Sequence, residues 1–142
     1  MVQEEYEKYL KRLEKARGEK ASYMNNAKWF KFFSAIKQLD IFLPEAQAKC
    51  LVSDEIFPFR FDAGFNEKGV LDGSLGYSPA YYEEIEWIFI PAVQEYKRYN
   101  RWEKIKSTFE AVNLPLIVET LKKIGQYEFD IDERGLKLYG YR

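Results

Sequence analysis

The chain contains no histidine. Catalytic triads built on imidazole, histidine-ligated metal sites and the usual switch near neutral pH are all excluded at once. Cys50 is the only cysteine, so no intrachain disulfide can form and a reducing intracellular setting is expected. No apolar stretch approaches the ~20 residues of a membrane-spanning helix. The first residues are charged rather than apolar, so no signal peptide is expected either. Together these absences predict a soluble, cytoplasmic protein with no membrane partner. No glycine pair carries the Lys-Ser/Thr of a phosphate loop, and Gly73-Ser74-Leu75-Gly76 reads as turn-forming.

Aromatic residues, by contrast, make up 18% of the 142 residues, with 11 Tyr and 11 Phe. One domain of this length buries roughly two-thirds of its unfolded surface without a metal or disulfide staple. The aromatic load exceeds what one core requires, so some rings should line a groove or a partner-facing surface. The net charge of -1 argues against a bulk nucleic-acid binder. Residues 1–39 carry nine bases and five acids, residues 40–92 three bases and ten acids, and residues 93–142 ten bases and eight acids. An acidic middle between basic ends can steer a basic partner.

The stretch Ile85-Glu86-Trp87-Ile88-Phe89-Ile90 organises the rest. Alternation puts Ile85, Trp87 and Phe89 on one face and Glu86, Ile88 and Ile90 on the other. Such a run suits a central strand flanked by other strands and covered by helices on both sides.

Upstream, residues 3–17 read as a helix with a narrow stripe of Tyr6, Leu10 and Leu13. Residues 1–23 are expected to be a helical extension, dispensable for folding and able to mediate a dimer through residues 3–17. Residues 24–142 would then form a single α+β domain. Asn25 or Asn26 caps a second helix that runs to about Leu39 and directs Trp29, Phe32, Phe33, Ile36 and Leu39 at the core. Ala46–Val52 alternates as a strand, and Cys50 there reads as a small buried hydrophobe. Phe57, Phe59 and Phe61 alternate around Pro58 as an edge strand or extended loop.

From Asp62 to Glu84 periodicity disappears and glycine dominates. A loop of that length is either functional or poorly ordered. Tyr96–Trp102 is basic and aromatic, a hairpin turn or a helical turn. Asn113 caps a helix carrying Leu114, Ile117, Val118, Leu121 and Ile124, with Pro115 in its first turn and Gly125 after its last. A hairpin closes the chain, pairing Ile131 with Leu136 and Phe129 with Leu138, and leaving Asp130 opposite Lys137 on the wet side. The expected fold is α+β. It has one antiparallel or mixed sheet of about five strands packed by two to three helices, with the C-terminal helix followed by a β-hairpin.

Met24-Asn25-Asn26-Ala27-Lys28-Trp29, Ile85-Glu86-Trp87 and Tyr139-Gly140-Tyr141-Arg142 together resemble the landmarks of a group of small bacterial proteins of uncharacterised function. The resemblance runs from Met24 onward and implies no activity, catalytic residue or cofactor. In size and style such proteins are similar to the immunity proteins that neutralise bacterial toxins, an analogy that does not rest on motifs.

Carboxylate pairs offer little catalytic prospect. Asp54 and Glu55 point to opposite sides of an extended chain, and Glu86 beside a central strand is expected to pair with a lysine or arginine. Ser34, Ser53, Ser74 and Ser107 have no base to activate them. No catalytic residue, metal or cofactor is expected. The expected function is a non-catalytic protein-binding module that occludes a basic partner, most concretely an immunity-type inhibitor of a toxin. Phe65, Tyr77, Tyr81 and Tyr82 would anchor the partner, while Asp54, Glu55, Asp62, Asp72, Glu83 and Glu84 would steer it. Two alternatives stay open. One is a small-molecule binder or enzyme with the glycine and aromatic loop as lid over a cavity under residues 57–82. The other is weak single-stranded RNA binding through Tyr96–Trp102, against which the net charge argues.

Overall fold

The computed structural model describes residues 2–97 and 107–142. In chain order its elements are α1 (Val2–Gly18), α2 (Asn26–Leu39), β1 (Gln47–Cys50), β2 (Ile56–Pro58), β3 (Gly64–Phe65), β4 (Val70–Asp72) and β5 (Ala80–Tyr81). A 3-10 turn (Tyr82–Glu84) leads to β6 (Ile85–Pro91), β7 (Val93–Tyr96), β8 (Thr108–Ala111), α3 (Leu114–Ile124), β9 (Phe129–Asp132) and β10 (Gly135–Tyr139). The architecture is α+β. A five-stranded antiparallel sheet has the order β2-β1-β6-β10-β9, and β3-β4-β5 and β7-β8 form two smaller sheets.

Local chemistry explains the two core helices. The Asn25 side chain accepts from the Lys28 amide and Asp40 ends α2 in the left-handed region. Asn113 caps α3 by accepting from the Leu116 amide, with Pro115 in the first turn. Capping of this kind satisfies amides that the first helical turn leaves free. From α2, Trp29, Phe32, Phe33, Ala35 and Ile36 are buried, and from α3, Leu114, Ile117 and Leu121. They meet Ala48, Ile88, Ile90, Leu136 and Leu138, all fully buried on one face of the main sheet.

The C-terminal hairpin has the predicted register. Leu136 pairs with Ile131, Leu138 with Phe129 and Lys137 with Asp130. Gly135, at φ 154°, belongs where β10 meets β6, because a Cβ there would run into the Ile90 carbonyl. β6 is central, as expected, but helices cover only its Ile88 face. Trp87 and Phe89 are half-buried on the other face. Lys137 lies 4.2 Å over the Trp87 ring, and the Arg142 guanidinium 4.4 Å over Tyr139. The expectation of two helix-covered faces is therefore corrected: on the second face long cationic side chains, not helices, lie over the aromatic rings.

Register shifts between Lys49 and Cys50, which pair with Trp87 and Ile85, leave Glu86 as the extra residue of a bulge. Its side chain meets Lys49, and Lys20 at 2.6 Å. Burial alone would raise the Glu86 pKa, but the hydrogen bonds from Lys20 and Lys49 outweigh it and hold the carboxyl below its ordinary value. Cys50 is buried, and burial pushes its thiol up to about 11.

The segment read as an irregular loop is corrected most. Residues 64–81 form the three-stranded sheet β3-β4-β5. Its strands are two or three residues long, too short to show a period of two. Phe59, Leu71, Leu75, Ala80 and Tyr82 carry it into the main core. β7 and β8 pair as a ribbon beside residues 42–45, where the buried Gln94 accepts from the Glu45 amide and the Tyr96 hydroxyl donates to the Phe42 carbonyl. Residues 98–106, including residues 98–102 of the basic aromatic cluster, lie outside the described residues.

The N-terminal segment lies against the domain. Leu13 is the buried residue of its stripe, whereas Tyr6 and Leu10 are exposed. The Tyr9 hydroxyl donates to Glu84, Arg12 to the Val52 carbonyl and Arg17 to Glu83. Residues 21–23 then run alongside 140–142, with the Tyr23 amide 2.9 Å from the Gly140 carbonyl. No helix among the described residues is long and apolar enough to cross a membrane.

Candidate functional site

The ten residues singled out as a contact surface fall into three places. Tyr77, Tyr81, Glu83 and Glu84 lie before, within and just after β5. Asp62, Phe65 and Asp72 lie just before β3, on β3 and on β4, where Gly64 pairs with Asp72 and Phe65 with Leu71. Asp54 and Glu55 lie exposed on the link between β1 and β2.

Tyr77 and Tyr81 are 45% and 40% exposed, so each shows part of its ring to solvent, while the Tyr77 hydroxyl lies against Cys50. Glu83 is exposed and paired with Arg17 at 3.3 Å. Asp62 pairs with Arg60, and Asp72 accepts from the Ser78 hydroxyl at 2.6 Å. Phe65 is half-buried, its ring 5.7 Å from both Phe30 and Phe33.

Two of the ten lie in the interior. Tyr82 is fully buried, with its ring 5.3 Å from Phe33 and its hydroxyl donating to the Asn66 carbonyl. Burial pushes that phenol up to about 12. Glu84 is also buried, accepting from the Tyr9 hydroxyl and, at 2.9 Å, from the Tyr81 amide. A buried residue cannot anchor or steer a partner, so Tyr82 and Glu84 hold the small sheet and α1 in place instead. Tyr9, which donates to Glu84, escaped the sequence reading because it lies off the Tyr6–Leu10–Leu13 stripe and 75 residues from its acceptor.

Burial raises the Tyr9 pKa, and its bond to Glu84 raises it further. The Tyr77 phenol, beside the Cys50 thiol, is raised first by burial and then by Cys50 and Glu84. These hydroxyls stay protonated, as donors rather than nucleophiles. Among the described residues no three acidic or cysteine side chains converge to hold a metal ion.

A groove of about 580 Å³ opens between the C-terminal end of α2 and residues 58–65. Ile36, Phe59, Phe61 and Phe65 give it apolar walls. Lys37 and Asp40 stand on one side, and Arg60 and Asp62 on the other. Phe42, 61% exposed, also lines it. The sequence gives no single signal for this groove, because its walls come from two segments that meet only in the fold.

The three sequence landmarks converge elsewhere. Gly140 donates to the Glu86 carbonyl at 2.7 Å, and a Cβ on Gly140 would meet the Ile85 carbonyl and come within 3.0 Å of the Trp29 ring. A smaller cleft of about 250 Å³ beside them is lined by Arg17, Asn25, Asn26, Trp29, Glu83 and Tyr141 among others. The landmarks therefore record a packing junction: helix start, central bulge and C-terminal strand end need one another's shapes.

A model described as a family of unknown function, DUF6678, matches residues 11–142. The match begins inside α1 rather than at Met24. No curated protein and no solved structure matches the chain. With nearly its whole length matched, the chain belongs to the family of unknown function DUF6678.

Proposed function

We propose that this chain is a non-catalytic binding module that occludes a protein partner, most concretely an immunity-type inhibitor of a basic toxin in the cytoplasm. The observation that carries the reading is the partial exposure of Tyr81 on β5, of Tyr77 in the loop before it and of Glu83 just after it. Aromatic rings held on a folded frame give contact area at low entropic cost. Asp54, Glu55, Asp62 and Asp72 are all exposed, and their negative charge favours a basic partner. The test is affinity capture from the native host with wild-type protein and with the double variant Tyr77→Ser, Tyr81→Ser. A basic protein held by the first and lost by the second supports the reading. Equal capture by both counts against it.

A second reading has its own observation. The groove of about 580 Å³ lies in the range of small-molecule pockets, on the order of 300–1,000 Å³. Residues 58–63 and Phe65, from the glycine and aromatic region, line it. Titration with a small apolar probe, followed by the amide resonances of residues 58–65, tests it.

A further inference from the structure

We infer that the groove beside α2 takes a zwitterion: a free amino acid or dipeptide with a large apolar side chain. This rests on the second reading above, and adds the ligand's chemistry. The floor is preorganised. Phe59 lies 4.9 Å from Phe61 and 5.7 Å from Phe33, and Phe33 also lies 5.7 Å from Phe65. Rings locked against one another lose little freedom when a ligand arrives, which favours an apolar body in the groove. Ile36 and Leu43 close the base, both buried.

The rim decides the head group. Lys37 and Asp40 lie one helical turn apart at the end of α2, so that wall presents one cation and one anion. The facing wall presents Arg60 and Asp62, again one of each. Arg60 and Asp62 pair only loosely, at 3.5 Å, with side chains 69% and 62% exposed. An exposed pair of this kind is worth little and yields to a ligand at small cost. A ligand of one charge meets its own sign on whichever wall it approaches. A ligand carrying ammonium and carboxylate together finds a counter-charge for each, and its side chain enters the phenylalanine floor. Specificity here is the difference between satisfying two charges and satisfying one against a repelling neighbour.

The experiment is an NMR titration of the full chain. Four probes are used, L-phenylalanine, phenylalanyl-leucine, N-acetyl-phenylalanine and phenylalanine amide, with an anilinonaphthalene sulfonate dye as a general apolar probe. The first two should shift the amides of residues 58–65 and bind at least ten-fold more tightly than the two singly charged analogues. The first two also separate free amino acid from dipeptide, because their ammonium and carboxylate are spaced differently and the tighter of the two marks the better fit. Lys37→Gln and Asp40→Asn should each erase the ten-fold preference while leaving dye binding intact, and Phe61→Ala should abolish binding of every probe. If the capped forms bind as tightly as the zwitterions, the ligand class is wrong and the pocket reading survives. If neither dye nor amino acid perturbs residues 58–65, the groove is not a pocket and both statements fall.

Discussion

The main sheet with α2 and α3, and the small sheet of residues 64–81, are stabilised by different means. In the first, Ile88, Ile90, Leu136, Leu138, Phe32 and Ile117 are fully buried, and burial is spread over many side chains. In the second, the strands are two or three residues long, and buried Leu71, Ala80 and Tyr82 are supplemented by particular polar contacts. The Asn66 side chain accepts from the Lys68 and Val70 amides, the Tyr82 hydroxyl donates to the Asn66 carbonyl, and the Arg60 amide reaches the Ser74 carbonyl at 2.9 Å. The difference teaches where function can reside. A region held by a few inward-facing groups can leave Tyr77 and Tyr81 partly exposed.

Phe33 joins the two regions, with rings of Trp29, Phe59, Phe65 and Tyr82 around it. Phe33→Ala should therefore produce the largest effect, about 3–5 kcal/mol lost by urea denaturation, with both regions opening together. If only amides 64–82 lost hydrogen-exchange protection, the two regions would be separate folding units. Starting the chain at Met24 comes next. It removes Leu13, the Tyr9 bond to Glu84 and the Lys20 partner of Glu86, and should cost about 2–3 kcal/mol while leaving a folded protein. Thermal unfolding with mass in solution checks this, and a chain that fails to fold would place α1 inside the core.

Glu86→Gln should cost less, about 1–2 kcal/mol at neutral pH. The sign of its pH dependence follows from the depressed carboxyl. Its folded pKa lies below the ordinary value, so its contribution is present above the unfolded carboxylate pKa of about 4.3 and is lost as pH falls through the folded pKa. Wild-type stability should fall across that acidic window more steeply than the variant's. Parallel curves would show that Lys20 and Lys49 do not hold the charge. The smallest effect belongs to the double variant Tyr77→Ser, Tyr81→Ser, within about 1 kcal/mol of wild type, because both rings stand partly in solvent.

How much was legible followed element length and sequence separation. The hairpin register could be read because β9 and β10 span two full alternations around Gly135. Both helix caps could be read because Asn25 and Asn113 act within three residues of themselves. The small sheet could not, since strands of two residues carry no period. The one-sided cover of β6 was hidden as well. Trp87 and Phe89 look like core residues, and nothing local says that Lys137 and not a helix lies across Trp87. Of the proposed contact residues, the exposure of Tyr81, Asp54, Glu55, Asp62, Asp72 and Glu83 accords with their polar or loop setting in the sequence. The inward turn of Tyr82 and Glu84 needed Phe33, Asn66 and Tyr9, all distant in sequence.

The account's central claim is that the small sheet presents a recognition surface on a frame that does not need it. The most direct measurement is the affinity of a partner captured from the native host, purified and titrated against wild-type protein and the Tyr77→Ser, Tyr81→Ser variant. Circular dichroism should establish equal folding of the two. The account predicts affinity reduced at least a hundred-fold in the variant, with its thermal midpoint little changed. Undiminished affinity in an equally folded variant would contradict it.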